Sequence, residues 1–203
     1  MRRGAPATLD LSNIAEEMLN TGKRALVGTL AGGAWITWGL TISHAVAPRA
    51  ILTLILIASL LLVCCGYCIL TGRSLRKKHP FPRRPLNKGF LIVTLLEAVG
   101  VGAVIVAAQK LSRLDALPDW IGLVIGLHFF GIARVLRASV YYVTGTAIVF
   151  WCLLLWIPFR GAPPPVLAGV GIGAILWATS SFNLLRVLAT RAAGQIVASG
   201  KAS

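Results

Sequence analysis

Glu97 stands in Leu95-Leu96-Glu97-Ala98-Val99-Gly100, inside an apolar run long enough to form a membrane-spanning helix. His128 stands in a second apolar run, Gly126-Leu127-His128-Phe129-Phe130. A carboxylate at the centre of a bilayer costs at least about 2.5 kcal/mol on insertion scales, so such groups face a bundle interior or a wet cavity. Imidazole changes charge near neutral pH, and small changes in its surroundings turn it into a switch. Counted from opposite sides of a membrane, both residues fall near the midplane. Together they form a candidate proton or cation site. Each also has a plainer reading: Glu97 as a polar clamp between helices, and His128 as the donor of one interhelical hydrogen bond. The functional reading is preferred for Glu97 and the plainer one for His128.

Cys64-Cys65-Gly66-Tyr67-Cys68 offers a weaker signal. The spacing of Cys65 and Cys68 is that of redox dithiols and soft-metal ligands, which need two sulfurs on one helix face. Redox pairs sit at exposed helix starts, whereas these thiols lie among Leu and Val, so packing is preferred. Cys152 is alone and reads as packing. No HExxH, GxSxG or P-loop is present, and each of those chemistries needs its residues at fixed offsets. An enzyme is therefore not expected, nor a cofactor or a metal centre.

The elements that must position these residues are helices in lipid. The chain has 203 residues, 57% hydrophobic and 13% charged. Soluble domains carry about 25% charged residues, enough to cover a wetted surface. Six apolar runs are long enough, or nearly so, to cross the hydrocarbon core, which needs about 20 residues. They are 25–46, 50–71, 90–108, 120–136, 140–159 and 166–185. The runs are continuous rather than alternating, which excludes a strand barrel. Prolines break the gaps, at Pro48, at Pro80, Pro82 and Pro85, and at Pro163 to Pro165. The fourth run is the short one and ends among Arg134 and Arg137. A full crossing is preferred there over a re-entrant loop.

The expected fold is an all-α polytopic membrane bundle of six transmembrane helices, with both termini in the cytoplasm. With that orientation sixteen of the 20 Lys and Arg lie inside, and only Arg49, Lys110, Arg113 and Arg160 lie outside. Such a bias sets topology. Residues 1–24 form a cytoplasmic leader in which Leu11, Ile14, Ala15, Met18 and Leu19 recur at helical spacing opposite Glu16 and Glu17. This reads as a short amphipathic helix lying on the membrane face. Residues 25–190 form the membrane domain, with a basic cytoplasmic loop at 73–89 that attracts anionic lipid. Residues 191–203 read as a disordered tail. No cleavable signal is expected, because the stretch after Met1-Arg2-Arg3 is polar. The net charge of +14 is accounted for by topology rather than by nucleic acid, since no basic face carries interleaved aromatics.

Gly28 with Gly32, Gly122 with Gly126, and Gly169 with Gly173 make three GxxxG pairs that permit close helix approach. Trp35 and Trp38 read as core packing. Trp120 and Trp156 suit an outer interfacial belt. Thr179 to Asn183 reads as polar glue between helices.

Gly126-Leu127-His128-Phe129-Phe130 followed by Tyr141-Tyr142-Val143-Thr144-Gly145 resembles small multi-span bacterial membrane proteins of unassigned function. The resemblance covers the fourth and fifth helices. It implies an inner-membrane location and brings no activity, ligand or partner. The residues themselves point first to a small-solute or ion/proton-coupled transporter with a midplane acidic site. The alternative is a non-transporting membrane module that assembles with a partner protein or a second copy. A thiol oxidoreductase using Cys65 and Cys68 ranks third.

Overall fold

Six α-helices and one short 3-10 turn follow one another in the computed structural model, which describes residues 11–43, 48–78, 88–159 and 163–199. They are α1 (Leu11–Ser43), α2 (Pro48–Lys78), α3 (Lys88–Lys110), the 3-10 turn (Leu114–Ala116), α4 (Leu117–Leu136), α5 (Ser139–Phe159) and α6 (Pro165–Ser199). Among the described residues there is no strand. All six helices are long and apolar enough to cross a membrane. A backbone that spans lipid must satisfy its own N–H and C=O groups, which a helix does within each segment.

The fourth helix begins before its apolar run, at Leu117. Pro118 sits in its first turn, where a missing N–H removes nothing. Its 20 residues reach about 30 Å at 1.5 Å per residue, the thickness of a hydrocarbon core. It is unbroken from Leu117 to Leu136. Arg137 ends it in the left-handed region at φ 51°, and the Ala138 N–H returns to the Ala133 carbonyl at 3.1 Å. That reversal joins α4 to α5 in so few residues that the two pack as antiparallel neighbours. Close contact follows through small residues: a Cβ on Gly145 would come within 2.7 Å of the Gly126 carbonyl oxygen.

The chain divides into two compact units rather than the single bundle expected. The first comprises residues 1–29, 56–83 and 180–203, within which the described segments belong to α1, α2 and α6. Here the leader differs from its expectation. Leu11 opens α1, which runs without a break to Ser43, so the amphipathic segment is the beginning of the first helix and not a separate one. Within that segment Ala15, Met18 and Leu19 are buried against protein. Leu19 packs on Gly72 of α2, and Gly22 packs on Cys68 and Ile69. Arg191 of α6 donates to the Tyr67 hydroxyl of α2 at 2.6 Å. The tail also differs, since α6 continues to Ser199. Its Ala-rich, proline-free sequence favours that continuation. Most of the basic loop, with His79, Pro80, Pro82 and Pro85, lies outside the described residues, as do residues 1–10 and 200–203.

The second unit comprises residues 30–55 and 84–179. Its core gathers Trp35, Ile121, Ile148, Cys152, Ile172 and Leu176. Trp35 and Trp38 pack together at 5.1 Å between ring centroids. α1 and α6 meet backbone to backbone. A Cβ on Gly39 would lie 3.0 Å from the Gly169 Cα, and one on Gly173 would lie 2.6 Å from the Gly32 carbonyl oxygen. α5 and α6 are tied by the hydroxyls of Thr144 and Thr179 at 2.9 Å, and by the Trp151 indole donating to the Leu167 carbonyl at 3.1 Å.

Large apolar side chains stand outward on several helices. Leu56 of α2, Val99 of α3 and Ile157 of α5 are 71%, 68% and 79% exposed. A water-soluble protein rarely shows such continuous apolar surface, and a lipid solvent accounts for it.

Candidate functional site

The α3–α4 seam in the second unit is built from alternating small and large side chains. Gly131 of α4 faces Val93 of α3, where a Cβ would come within 2.8 Å of Val93 Cγ1. On the other side of the pair, Gly100 of α3 faces Val124 of α4 at 2.9 Å by the same measure. Antiparallel helices bring residues three and four apart into register along such a seam. Between these two glycine contacts, Glu97 and His128 face each other. The Oε2 of Glu97 lies 3.3 Å from the Nε2 of His128, with side-chain exposures of 28% and 8%. The sequence identified both residues, and the fold brings them together.

The other ring nitrogen decides what the pair can hold. His128 Nδ1 lies 3.2 Å from the backbone carbonyl oxygen of Val93. A carbonyl only accepts, so Nδ1 must carry a hydrogen and donate it. Nε2 then has two options towards Glu97. It carries a second proton and donates to a carboxylate, or it is bare and accepts from a protonated carboxyl. Either arrangement would place one shared proton between Nε2 and Oε2 in a pair that is neutral overall, although the ion-pair form still carries the cost of taking both charges out of water. Loss of that proton leaves a negative charge on the seam, and gain of another leaves a positive one. The arrangement gives the two helices a place where one proton could be shared between Nε2 and Oε2.

Around it, Phe129 meets the Tyr141 ring in a stacked arrangement at 5.9 Å, and Phe130 approaches Tyr142 at 6.0 Å. These aromatic contacts join α4 to α5. They fix the rotation of α4, and hence the direction in which His128 projects.

Cys65 and Cys68 lie in the first unit and are fully buried free thiols. Cys65 Sγ touches the Thr29 hydroxyl at 4.0 Å. Among the described residues no three His, Cys, Asp or Glu side chains converge as a metal site would require. Cys68 lies against Gly22 of α1 through its Cβ.

Asp119 was not singled out from sequence. It lies in the first turn of α4 and is 0% exposed. Neither carboxylate oxygen has a hydrogen-bond partner among the described residues. Position hid it, because an acid in a first helical turn usually faces water and complements the helix dipole. Its signal was the flanking Pro118-Asp119-Trp120, which places the acid between two bulky residues at a membrane helix start. Trp156 is 37% exposed, as an interfacial residue would be. Trp120 instead buries its indole N–H without an acceptor, a departure from the belt expected of it.

Comparison with protein-family models, with curated proteins and with solved structures finds no match to this chain.

Proposed function

We propose that this chain is a multi-pass inner-membrane protein with both termini in the cytoplasm, and that the Glu97–His128 pair serves proton-coupled transport of an ion or small solute. One observation carries the reading: Nε2 and Oε2 lie 3.3 Å apart while Nδ1 is committed to the Val93 carbonyl. A site that holds one proton in the apolar part of a helix seam is what coupling to a proton gradient requires. The orientation is supported by the distribution of Lys and Arg, and anionic lipid is the expected neighbour of the basic segment around Arg73, Arg76 and Lys77.

A second reading is favoured by the outer surface of α3. Leu91, Ile92, Leu95, Leu96 and Val99 are all exposed there, and the paired Glu97 is already satisfied. In that reading α3 meets a partner helix, and the polar pair only clamps α3 to α4.

Reconstitution separates the two. Protein in liposomes carrying a trapped pH dye and an imposed membrane potential is expected to take up protons faster than protein-free vesicles. Glu97→Gln keeps the size of the side chain and removes the exchangeable proton, so uptake should fall to the vesicle background. Wild-type uptake no greater than background would remove transport and leave the assembling module.

A further inference from the structure

Asp119 is a buried acid that the Glu97–His128 site does not use. Two polar groups of α5, the Trp156 indole and the Cys152 thiol, lie near its carboxyl without making a hydrogen bond to it. Cys152 is the titratable one, and it is itself fully buried. From α6, Ile172 reaches Gly122 on the next turn of α4 and closes that side with hydrocarbon. The Trp120 indole N–H is buried beside it in the chain without an acceptor. In the preceding turn Arg113 faces Asp115 at 3.6 Å, both about half exposed.

An ionised carboxylate buried without a cation costs several kcal/mol. Three ligands could remove that cost: a metal ion, an organic cation or a proton. A hard metal ion needs a cage of about six oxygens, and the groups facing Asp119 are a thiol and an indole. An organic cation needs room, and both carboxylate oxygens are enclosed. A proton needs neither.

We propose that Asp119 is a second proton-binding site, on the α5 side of α4. Protonated, the carboxyl is neutral among hydrocarbon. When its O–H bond breaks, the proton passes to water at the start of α4, where Arg113, Leu114 and Asp115 are exposed. The Trp156 N–H and the Cys152 S–H then donate to the anion. Asp119 and His128 lie two and a half turns apart on opposite faces of α4, about 13 Å along the axis. One rigid helix thus carries proton sites on both its α5 and its α3 sides. The proposal rests on the proton-coupled reading and extends it by a second carrier.

Infrared spectroscopy of the full chain in liposomes tests it. A neutral carboxylic acid has a C=O stretch well separated from that of a carboxylate. At pH 7 the wild type is expected to show such a band, which shifts when aspartate is labelled with carbon-13 at its carboxyl and is lost in Asp119→Asn. The band should survive in Glu97→Gln. Asp10 and Asp115 are the other aspartates, and loss of the labelled band in Asp119→Asn assigns it to Asp119. Absence of an isotope-shifted acid band in the wild type overturns the site, whatever the variants do. An acid band at Asp119 with no proton uptake in liposomes would sustain the site and defeat the transport reading. Uptake without the band would do the reverse.

Discussion

His128→Leu is expected to destabilise the protein by about 1–3 kcal/mol, the scale of leaving a mostly buried polar group without its partner. Leucine fills the space but leaves Glu97 facing hydrocarbon with no donor. The carboxyl must then take up its own proton or stay charged, and α3 loses its polar attachment to α4. The double variant Glu97→Leu/His128→Leu removes both polar groups and should recover most of the loss. Apolar replacement of a complete pair is close to neutral where replacement of one partner is not. Denaturant titration in mixed micelles gives the four stabilities of the cycle. A double variant no more stable than His128→Leu would mean that the two residues do not interact.

Gly169→Ala is expected to cost about 3 kcal/mol, at the upper end of overpacking penalties. The added Cβ would sit 2.6 Å from the Trp35 carbonyl oxygen and 2.8 Å from the Gly39 Cα. Both are backbone atoms, so no side chain can turn aside and α1 must move off α6. Because apolar lipid provides no hydrophobic drive for helix association, close backbone packing carries a large share of the interface. Gly102→Ala is the matched control. Nothing lies within 4 Å of a Cβ there, and removing a helical glycine in open space stabilises by about 0.5–1 kcal/mol. The two alanines should therefore shift the unfolding midpoint in opposite directions.

What the sequence disclosed, and what it withheld, follows from the range of each interaction. Helix number was legible because a span is a local property, an unbroken apolar run of sufficient length. The glycine pairs were legible as surfaces that permit approach, but their partners were not. Gly39, outside any pair read from spacing, proves to be the residue that Gly169 meets. Which helices touch depends on rotation about each axis, and a nearly uniform apolar run carries little information about rotation. For the same reason Glu97 and His128 could be marked separately but not joined. The leader shows the converse. Periodicity marks an apolar stripe there, yet it does not distinguish burial against lipid from burial against Gly72, which Leu19 meets in α2. Asp119 escaped because its place at a helix start has an ordinary explanation, and only three-dimensional enclosure removes it.

The proposed shared-proton site depends on one hydrogen atom, the one on Nδ1 of His128. Nitrogen-15 spectroscopy of histidine-labelled protein in bilayers reads it directly. The chain has 3 His, and a His128→Gln sample identifies the signals of interest. The shared-proton site predicts a protonated Nδ1 throughout the pH range in which the pair stays intact, with Nε2 either bare beside a neutral Glu97 or protonated beside its carboxylate. A neutral ring with its proton on Nε2 and a bare Nδ1 against the Val93 carbonyl would contradict it.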